Sequence, residues 1–92
     1  MGADETVNPM VVTGAIAAST KITDKKTYLK FVRWYKPTSI GHLLSLTDKE
    51  GKLVTTGYCD TADVSQDIPV FTVCNGVYID DMDSGALYLY RR

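Results

Sequence analysis

Short runs of apolar residues alternate with turn residues along the whole chain, and each run has the length of a β-strand. The clearest run, Tyr28 to Lys36, is rich in aromatic and β-branched residues and ends before Pro37, which cannot continue a ladder. No segment has the apolar period of an amphipathic helix of about ten residues. The other predicted strands are Met10 to Ser19 with a bend at Gly14, His42 to Thr47, Lys52 to Cys59, Val70 to Cys74, Val77 to Asp80 and Ala86 to Tyr90.

This pattern predicts an all-β chain, folded as a small β-sandwich or a jelly-roll-like barrel of about seven short antiparallel strands. Two turns have the residues of β-hairpins. Asp48 to Gly51 fits a type I turn closed by a left-handed glycine, and Asn75-Gly76 fits a type I′ turn. Residues 1–9 are polar and lack periodicity, so we predict a flexible N-terminal arm followed by a single β domain over residues 10–92.

The charge balance limits the classes of partner. Ten basic and eleven acidic residues give a net charge of −1. Such a chain lacks the long-range attraction to phosphate backbones, so nucleic acid is not expected as a partner. No apolar run approaches the ~18 residues of a membrane span, and the polar N-terminus has no signal-peptide pattern. Without a secretory signal we expect Cys59 and Cys74 to be reduced and partly buried, with a disulfide as the alternative.

Alternation along the last two predicted strands separates an aliphatic face from a tyrosine face, because successive side chains of a strand point to opposite sides. Pairing the two strands would join their faces. We predict that the aliphatic face is core and that the tyrosine face is open to water or to a partner. The aliphatic face would consist of Val77, Ile79, Leu87 and Leu89, and the tyrosine face of Tyr78, Tyr88 and Tyr90.

The strand Tyr28 to Lys36 carries apolar residues on both faces, whereas a sandwich buries only one face of each sheet. Leaving Leu29 and Phe31 in water would forgo about 1.5–3 kcal/mol per side chain relative to burial. Three arrangements would cover the second face: a bulge that turns part of the strand inward, the N-terminal segment lying across it, or a second subunit. The two faces are Tyr28, Lys30, Val32 and Trp34 on one side and Leu29, Phe31, Arg33 and Tyr35 on the other.

No pattern of residues indicates catalysis or a cofactor. His42 can be drawn with Ser39, Ser45 or a cysteine as base and nucleophile, but most chains of this size offer such pairs, and we predict no catalytic residue. The acidic stretch Asp80 to Gly85 has oxygen ligands that suit calcium, yet it lacks the spacing of an EF-hand, and its residues are those of a turn. We therefore predict neither a metal nor a cofactor.

Basic and aromatic residues are interleaved between Lys25 and Lys36. Some small barrels bind single-stranded nucleic acid in this way, by stacking bases on rings while cations follow the backbone. Trp34 lies in the middle of its strand, where tryptophan is more often a core residue, and the net charge is unfavourable. Single-strand binding is an alternative function on these residues: Lys25, Lys26, Tyr28, Lys30, Phe31, Arg33, Trp34, Tyr35 and Lys36.

The order of these features resembles that of small structural proteins from tailed-bacteriophage particles. The similar stretches are an Ala-rich first strand (Gly14–Ser19), a strand centred on an aromatic (Lys30–Trp34), a hairpin (His42–Val54) and the end of the chain (Gly76–Tyr90). The resemblance implies a small β-sandwich that binds a shell or connector in many copies, with capsid decoration (cement) proteins as the nearest type. It further implies synthesis in a host cytoplasm, a place on the virion surface and no catalytic residues.

The leading hypothesis is therefore a virion structural protein that stabilises a capsid by contacts with itself, as a homo-oligomer, and with a major capsid or other virion protein. A carbohydrate-binding or adhesion module is the other alternative, because exposed aromatic residues stack on sugars. The residues predicted to form contacts are Leu29, Phe31, Tyr35, Tyr78, Tyr88 and Tyr90.

Overall fold

A computed structural model describes residues 8–17 and 19–92. Across these residues the chain forms six β-strands and no helix, and every strand pair is antiparallel within one sheet. This confirms the all-β prediction. The strands are β1 (Met10–Thr13), β2 (Thr20–Tyr35), β3 (Leu43–Thr47), β4 (Leu53–Tyr58), β5 (Gln66–Met82) and β6 (Ala86–Arg91), in the sheet order β1-β6-β2-β5-β3-β4.

The predicted N-terminal arm lies mostly outside the described residues, which begin at Asn8. The Asn8 side chain is fixed to the end of β6. Its Nδ2 donates to the Arg91 carbonyl oxygen at 2.9 Å, and its Oδ1 accepts the Arg91 N–H at 3.0 Å. The amide thus satisfies both backbone groups of one residue, as a paired strand would.

The hairpin predicted at Asp48 to Gly51 is confirmed, since it joins the antiparallel strands β3 and β4. Gly51 has a φ of 84° and donates its N–H to the Asp48 carbonyl oxygen at 3.0 Å. The Asp48 Oδ1 also accepts the N–H groups of Glu50 and Lys52, each at 2.9 Å. An aspartate at the start and a glycine at the left-handed position therefore define this turn.

The hairpin predicted at Asn75-Gly76 is wrong, because both residues lie inside the continuous strand β5. Thr23 pairs with Val77 and Lys26 with Asn75, so two residues of β2 lie opposite Gly76 alone. Gly76 has a φ of 87°. A bulge of this kind uses the same left-handed backbone as a type I′ turn, so an Asn-Gly pair suits either structure.

β2 and β5 each contribute to two packed layers. The second half of β2 pairs with β6, which pairs with β1, whereas the second half of β5 pairs with β3, which pairs with β4. The first layer is therefore β1, β6, the end of β2 and the start of β5, and the second layer is the start of β2, the end of β5, β3 and β4. A methyl group on Gly57 of β4 would lie 3.1 Å from the Trp34 ring of β2, so the two layers pack face to face as a small sandwich.

The core lies between these layers. Trp34 is its largest fully buried side chain, and the predicted aliphatic face is confirmed as part of it. The buried apolar residues form one cluster: Met10, Val12, Ile22, Leu29, Val32, Trp34, Leu44, Leu46, Cys59, Cys74, Val77, Ile79, Met82, Leu87 and Leu89.

A bulge explains the two apolar faces of the strand around Phe31. The pairing of β2 shifts between Leu29 and Phe31 on both of its edges. Lys30 is an extra residue relative to β6, whereas two residues of β5 lie opposite it. The side-chain alternation therefore reverses there, and Leu29 points inward together with Val32 and Trp34. Leu29 is fully buried. Its predicted role as a contact residue is wrong, because its side chain is not accessible to a partner.

The turn before β6 anchors the end of β2. The Trp34 Nε1 donates to the Ser84 carbonyl oxygen at 2.8 Å, and Gly85 follows with a φ of 84°. A Cβ atom on Gly85 would lie 2.6 Å from the Tyr35 carbonyl oxygen. Only glycine allows the two backbones to approach this closely.

We expect Gly85→Ala to destabilise the fold more than Gly51→Ala. Both glycines have a φ of 84°, so both substitutions impose the left-handed strain of about 1–2 kcal/mol. At Gly51 the new methyl group meets nothing within 4 Å, whereas at Gly85 it meets backbone. Gly85→Ala should therefore lose about 1–3 kcal/mol more free energy of unfolding than Gly51→Ala, measured by urea titration with Trp34 fluorescence. Equal losses of unfolding free energy in the two variants would show that the backbone around Gly85 moves to admit the methyl group at no cost in stability.

Candidate interaction surfaces

Four aromatic residues lie together on the outer face of the first layer. Phe31 and Tyr90 are cross-strand partners whose rings stack at a centroid distance of 4.4 Å and an angle of 13°. Tyr35 and Tyr88 lie beside them with centroids 5.9 Å apart. Alternation turns these side chains away from the core, because their neighbours Val32, Trp34, Leu87 and Leu89 are buried. We call the four residues the outer aromatic surface.

An ion pair crosses the same face. Arg33 lies opposite Tyr88 on one side and Asp67 on the other. Its Nε is 2.7 Å from Asp67 Oδ1, and its Nη2 is 3.1 Å from Oδ2. The hydrogen bond from the guanidinium holds the pKa of Asp67 below its ordinary value. The two charges neutralise each other within the surface, and the two hydrogen bonds fix the Arg33 guanidinium.

Further cations surround the rings. The Lys36 Nζ lies 5.5 Å from the centroid of the Tyr35 ring, and the Arg92 guanidinium carbon lies 4.6 Å from that of Tyr28. Lys30 is exposed at the bulge next to Phe31. Within the described chain, Lys30, Lys36 and Arg92 form no ion pair. We call these three residues the basic rim.

The structure extends this surface to Phe71 and Val73, which the sequence did not reveal. Their side chains are 61% and 55% exposed. Phe71 has a φ of 50° at a second bulge, where Val70 and Phe71 lie opposite Lys30. A bulky residue with positive φ is uncommon and strained. The alternation of apolar and polar residues could not predict that Phe71 is exposed, because the bulge interrupts this alternation.

The predicted contact residues divide into three groups. Phe31, Tyr35, Tyr88 and Tyr90 come together, and Leu29 belongs to the core. Tyr78 does not join them: it pairs with Lys21 and Thr47 in the second layer. The expected direct pairing of strand 77–80 with β6 is wrong, because β2 lies between them in the sheet.

A groove lies on the outer face of the second layer, with a volume of about 590 Å³. Leu43 and Tyr58 are cross-strand partners there, 46% and 55% exposed. Asp80 and Asp81 form the wall that β5 contributes. We call this feature the acidic groove, and its lining consists of Leu43, Leu44, Ser45, Thr56, Gly57, Tyr58, Asp80 and Asp81.

The carboxylates of the acidic groove are crowded. Burial raises the pKa of Asp81, as do its hydrogen bond to Asp83 and the charges of Asp83 and Asp80. The Asp83 Oδ2 accepts the Leu43 N–H at 2.8 Å, which fixes it beside the groove. No lysine or arginine of residues 8–17 and 19–92 pairs with these three carboxylates. The groove therefore presents negative charge that no lysine or arginine of the described chain neutralises, next to exposed apolar side chains.

His42 has a different partner from those considered in the sequence. Its Nδ1 lies 2.7 Å from the Ser84 Oγ. The same oxygen accepts the Thr38 N–H at 2.9 Å, while the Ser84 carbonyl oxygen accepts the Trp34 indole N–H. Ser84 thus joins three segments of the chain, and the His42–Ser84 pair serves to fix the turn before β6.

The thiols and carboxylates do not assemble into a larger site in the described part of the chain. Cys59 and Cys74 are both free and buried. Burial raises the pKa of Cys74. No group of three or more His, Cys, Asp or Glu among the described residues could hold a metal ion. These residues also form no helix that is long and apolar enough to cross a membrane.

Comparisons with known protein families, with curated proteins and with solved structures found no match to this chain.

We expect Asp81→Asn and Asp67→Asn to change stability in opposite directions at pH 7. The raised pKa of Asp81 means that its charge costs stability as the pH rises from the ordinary value of 3.8 through the folded-state pKa. Because the pKa of Asp67 is lowered, its charge stabilises the fold above pH 3.8, the ordinary pKa value. This stabilisation is lost as the pH falls through the folded-state pKa. Asp81→Asn should therefore stabilise and Asp67→Asn destabilise.

Thermal unfolding of both variants at pH 7 and at a pH below these pKa values measures this difference. Each variant should approach the wild-type stability at the lower pH, where the carboxyl is uncharged in both states. A destabilised Asp81→Asn at pH 7 would contradict the crowding of the carboxylates.

Proposed function

We propose that this protein is a structural component of a virus particle, which stabilises an assembled shell by protein–protein contacts through the outer aromatic surface. The observation that carries the proposal is the clustering of Phe31, Tyr35, Tyr88 and Tyr90 on one outer face, with exposed Phe71 and Val73 on the adjacent strand β5. Contiguous exposed apolar surface marks interaction sites in soluble proteins.

The composition of this surface fits a protein partner. Tyrosine, phenylalanine and arginine are the residues enriched at the centres of protein interfaces. Arg33 is held by Asp67 in a two-point ion pair, so less side-chain freedom remains to be lost on binding. Phe71 is held outward by its backbone conformation, which also reduces that cost.

The ring contacts favour protein partners over sugars and bases. Stacking a sugar or a base requires an open ring face. Phe31 and Tyr90 each use one face for the other, and Arg92 covers a face of Tyr28. Trp34, the strongest stacking residue of the sequence, is fully buried. These observations weigh against both the carbohydrate-binding and the single-strand-binding alternatives.

The proposal that the assembly is a virus particle is based on the resemblance to small tailed-bacteriophage structural proteins. The similar stretches include Lys30–Trp34 and Gly76–Tyr90, which contribute to both outer faces of the sandwich. Small proteins of a shell bind neighbours in many copies, which matches a sandwich with an aromatic surface on one side and a groove on the other.

The test is solution mass, measured by light scattering behind size exclusion over a range of protein and salt concentrations. We expect the wild type to self-associate and the double variant Tyr35→Ser/Phe71→Asn to bind itself at least about tenfold more weakly, because two exposed apolar contacts are lost. Asparagine tolerates positive φ, so Phe71→Asn should leave the fold at least as stable.

Leu53→Ser is the matched control, since Leu53 is 64% exposed and belongs to neither surface. It should associate like the wild type. A wild type that stays monomeric at every concentration, or a double variant that associates normally, would overturn the proposed contact surface.

A further inference from the structure

We infer that copies of this chain bind one another head to tail, with the outer aromatic surface and basic rim of one copy against the acidic groove of the next. The inference rests on the proposed function for its first surface and adds the second surface and the partner. The partner is a second copy of this chain.

Charge complementarity is the first argument. The basic rim brings the cations of Lys30, Lys36 and Arg92, and the groove brings the carboxylates of Asp80, Asp81 and Asp83. Within the described residues neither set is neutralised by an ion pair. Each surface therefore carries the charge that the other lacks, which favours the encounter and fixes its orientation.

Like charges disfavour the competing arrangement. Two copies that met through their outer aromatic surfaces would bring one basic rim against another. Juxtaposed like charges suppress such contacts. The Arg33–Asp67 pair does not change this, because it is neutral within each copy.

Both surfaces also carry exposed apolar side chains. Phe71 protrudes from the first layer, 61% exposed, and the groove is a depression of about 590 Å³ beside exposed Leu43 and Tyr58. A depression of about 300–1,000 Å³ accommodates a group much larger than one side chain. An aromatic side chain placed beside Leu43 and Tyr58, with the carboxylates of Asp80 and Asp81 on the β5 side, has the arrangement of an interface anchor.

The sandwich lets both contacts form at once. The outer aromatic surface lies outside the first layer and the acidic groove outside the second, so the two point to opposite sides of the molecule. An interface between two different surfaces of the same chain is heterologous, and repeating it gives a ring or an open row of subunits. That is the form of association expected of a protein that lines a shell.

Two charge-reversed variants test the inference. Asp80→Lys/Asp81→Lys reverses the groove, and Lys30→Glu/Arg92→Glu reverses the rim. We expect each variant alone to remain monomeric at concentrations where the wild type associates, and an equimolar mixture to regain association, because the reversed groove attracts the reversed rim. Light scattering at about 50 mM salt, where salt screens the charges only weakly, measures all three samples. Thermal unfolding confirms that each variant is folded.

The outcomes separate this inference from the proposed function. If Asp80→Lys/Asp81→Lys associates like the wild type while Tyr35→Ser/Phe71→Asn does not, the outer aromatic surface is a contact but the groove is not, and the head-to-tail arrangement is overturned. A mixture of folded variants that stays monomeric overturns it as well. If the aromatic variant also associates normally, the proposed function fails with it.

Discussion

β2 and β5 are too long to run straight across this molecule. A strand of 16 residues such as β2 would extend over about 50 Å at the usual rise per residue, yet the longest dimension of the molecule is 32 Å. The ladder between the two strands accommodates the difference with three bulges: one at Ile22, one where Gly76 faces an extra residue of β2, and one at Lys30. At these points the sheet folds over on itself, and a core forms between its halves.

The same bulges produce the outer surfaces. The bulge at Lys30 reverses the alternation of β2, so Leu29, Val32 and Trp34 all face inward while Phe31 and Tyr35 remain outside. The opposing bulge in β5 turns Phe71 outward in a left-handed conformation. One extra residue on each strand therefore completes the core and also places aromatic side chains where a partner can reach them.

Side-chain alternation and turn residues predicted the features that depend on residues close together in the sequence. The aliphatic face of β6, the Asp48 to Gly51 hairpin and the grouping of Tyr88 with Tyr90 all follow from local sequence. Features that depend on distant pairing were missed or misread. Asn75-Gly76 has the backbone preference of a hairpin turn and of a bulge alike, and only a second strand running past it decides between them. The acidic groove likewise needs β3, β4 and β5 side by side.

The position of β6 has a consequence for the order in which the fold can form. β6 is the last strand of the sequence, yet it lies between β1 and β2, and within the described residues β1 pairs with no other strand. Only the β3–β4 hairpin joins strands that follow each other directly in the sequence. Met10 pairs with Leu89 and Trp34 with Leu87, so the core of the first layer is closed only when β6 is in place. Fold completion therefore depends on pairing β6 with β1, and the long sequence separation between these strands makes that closing step slow.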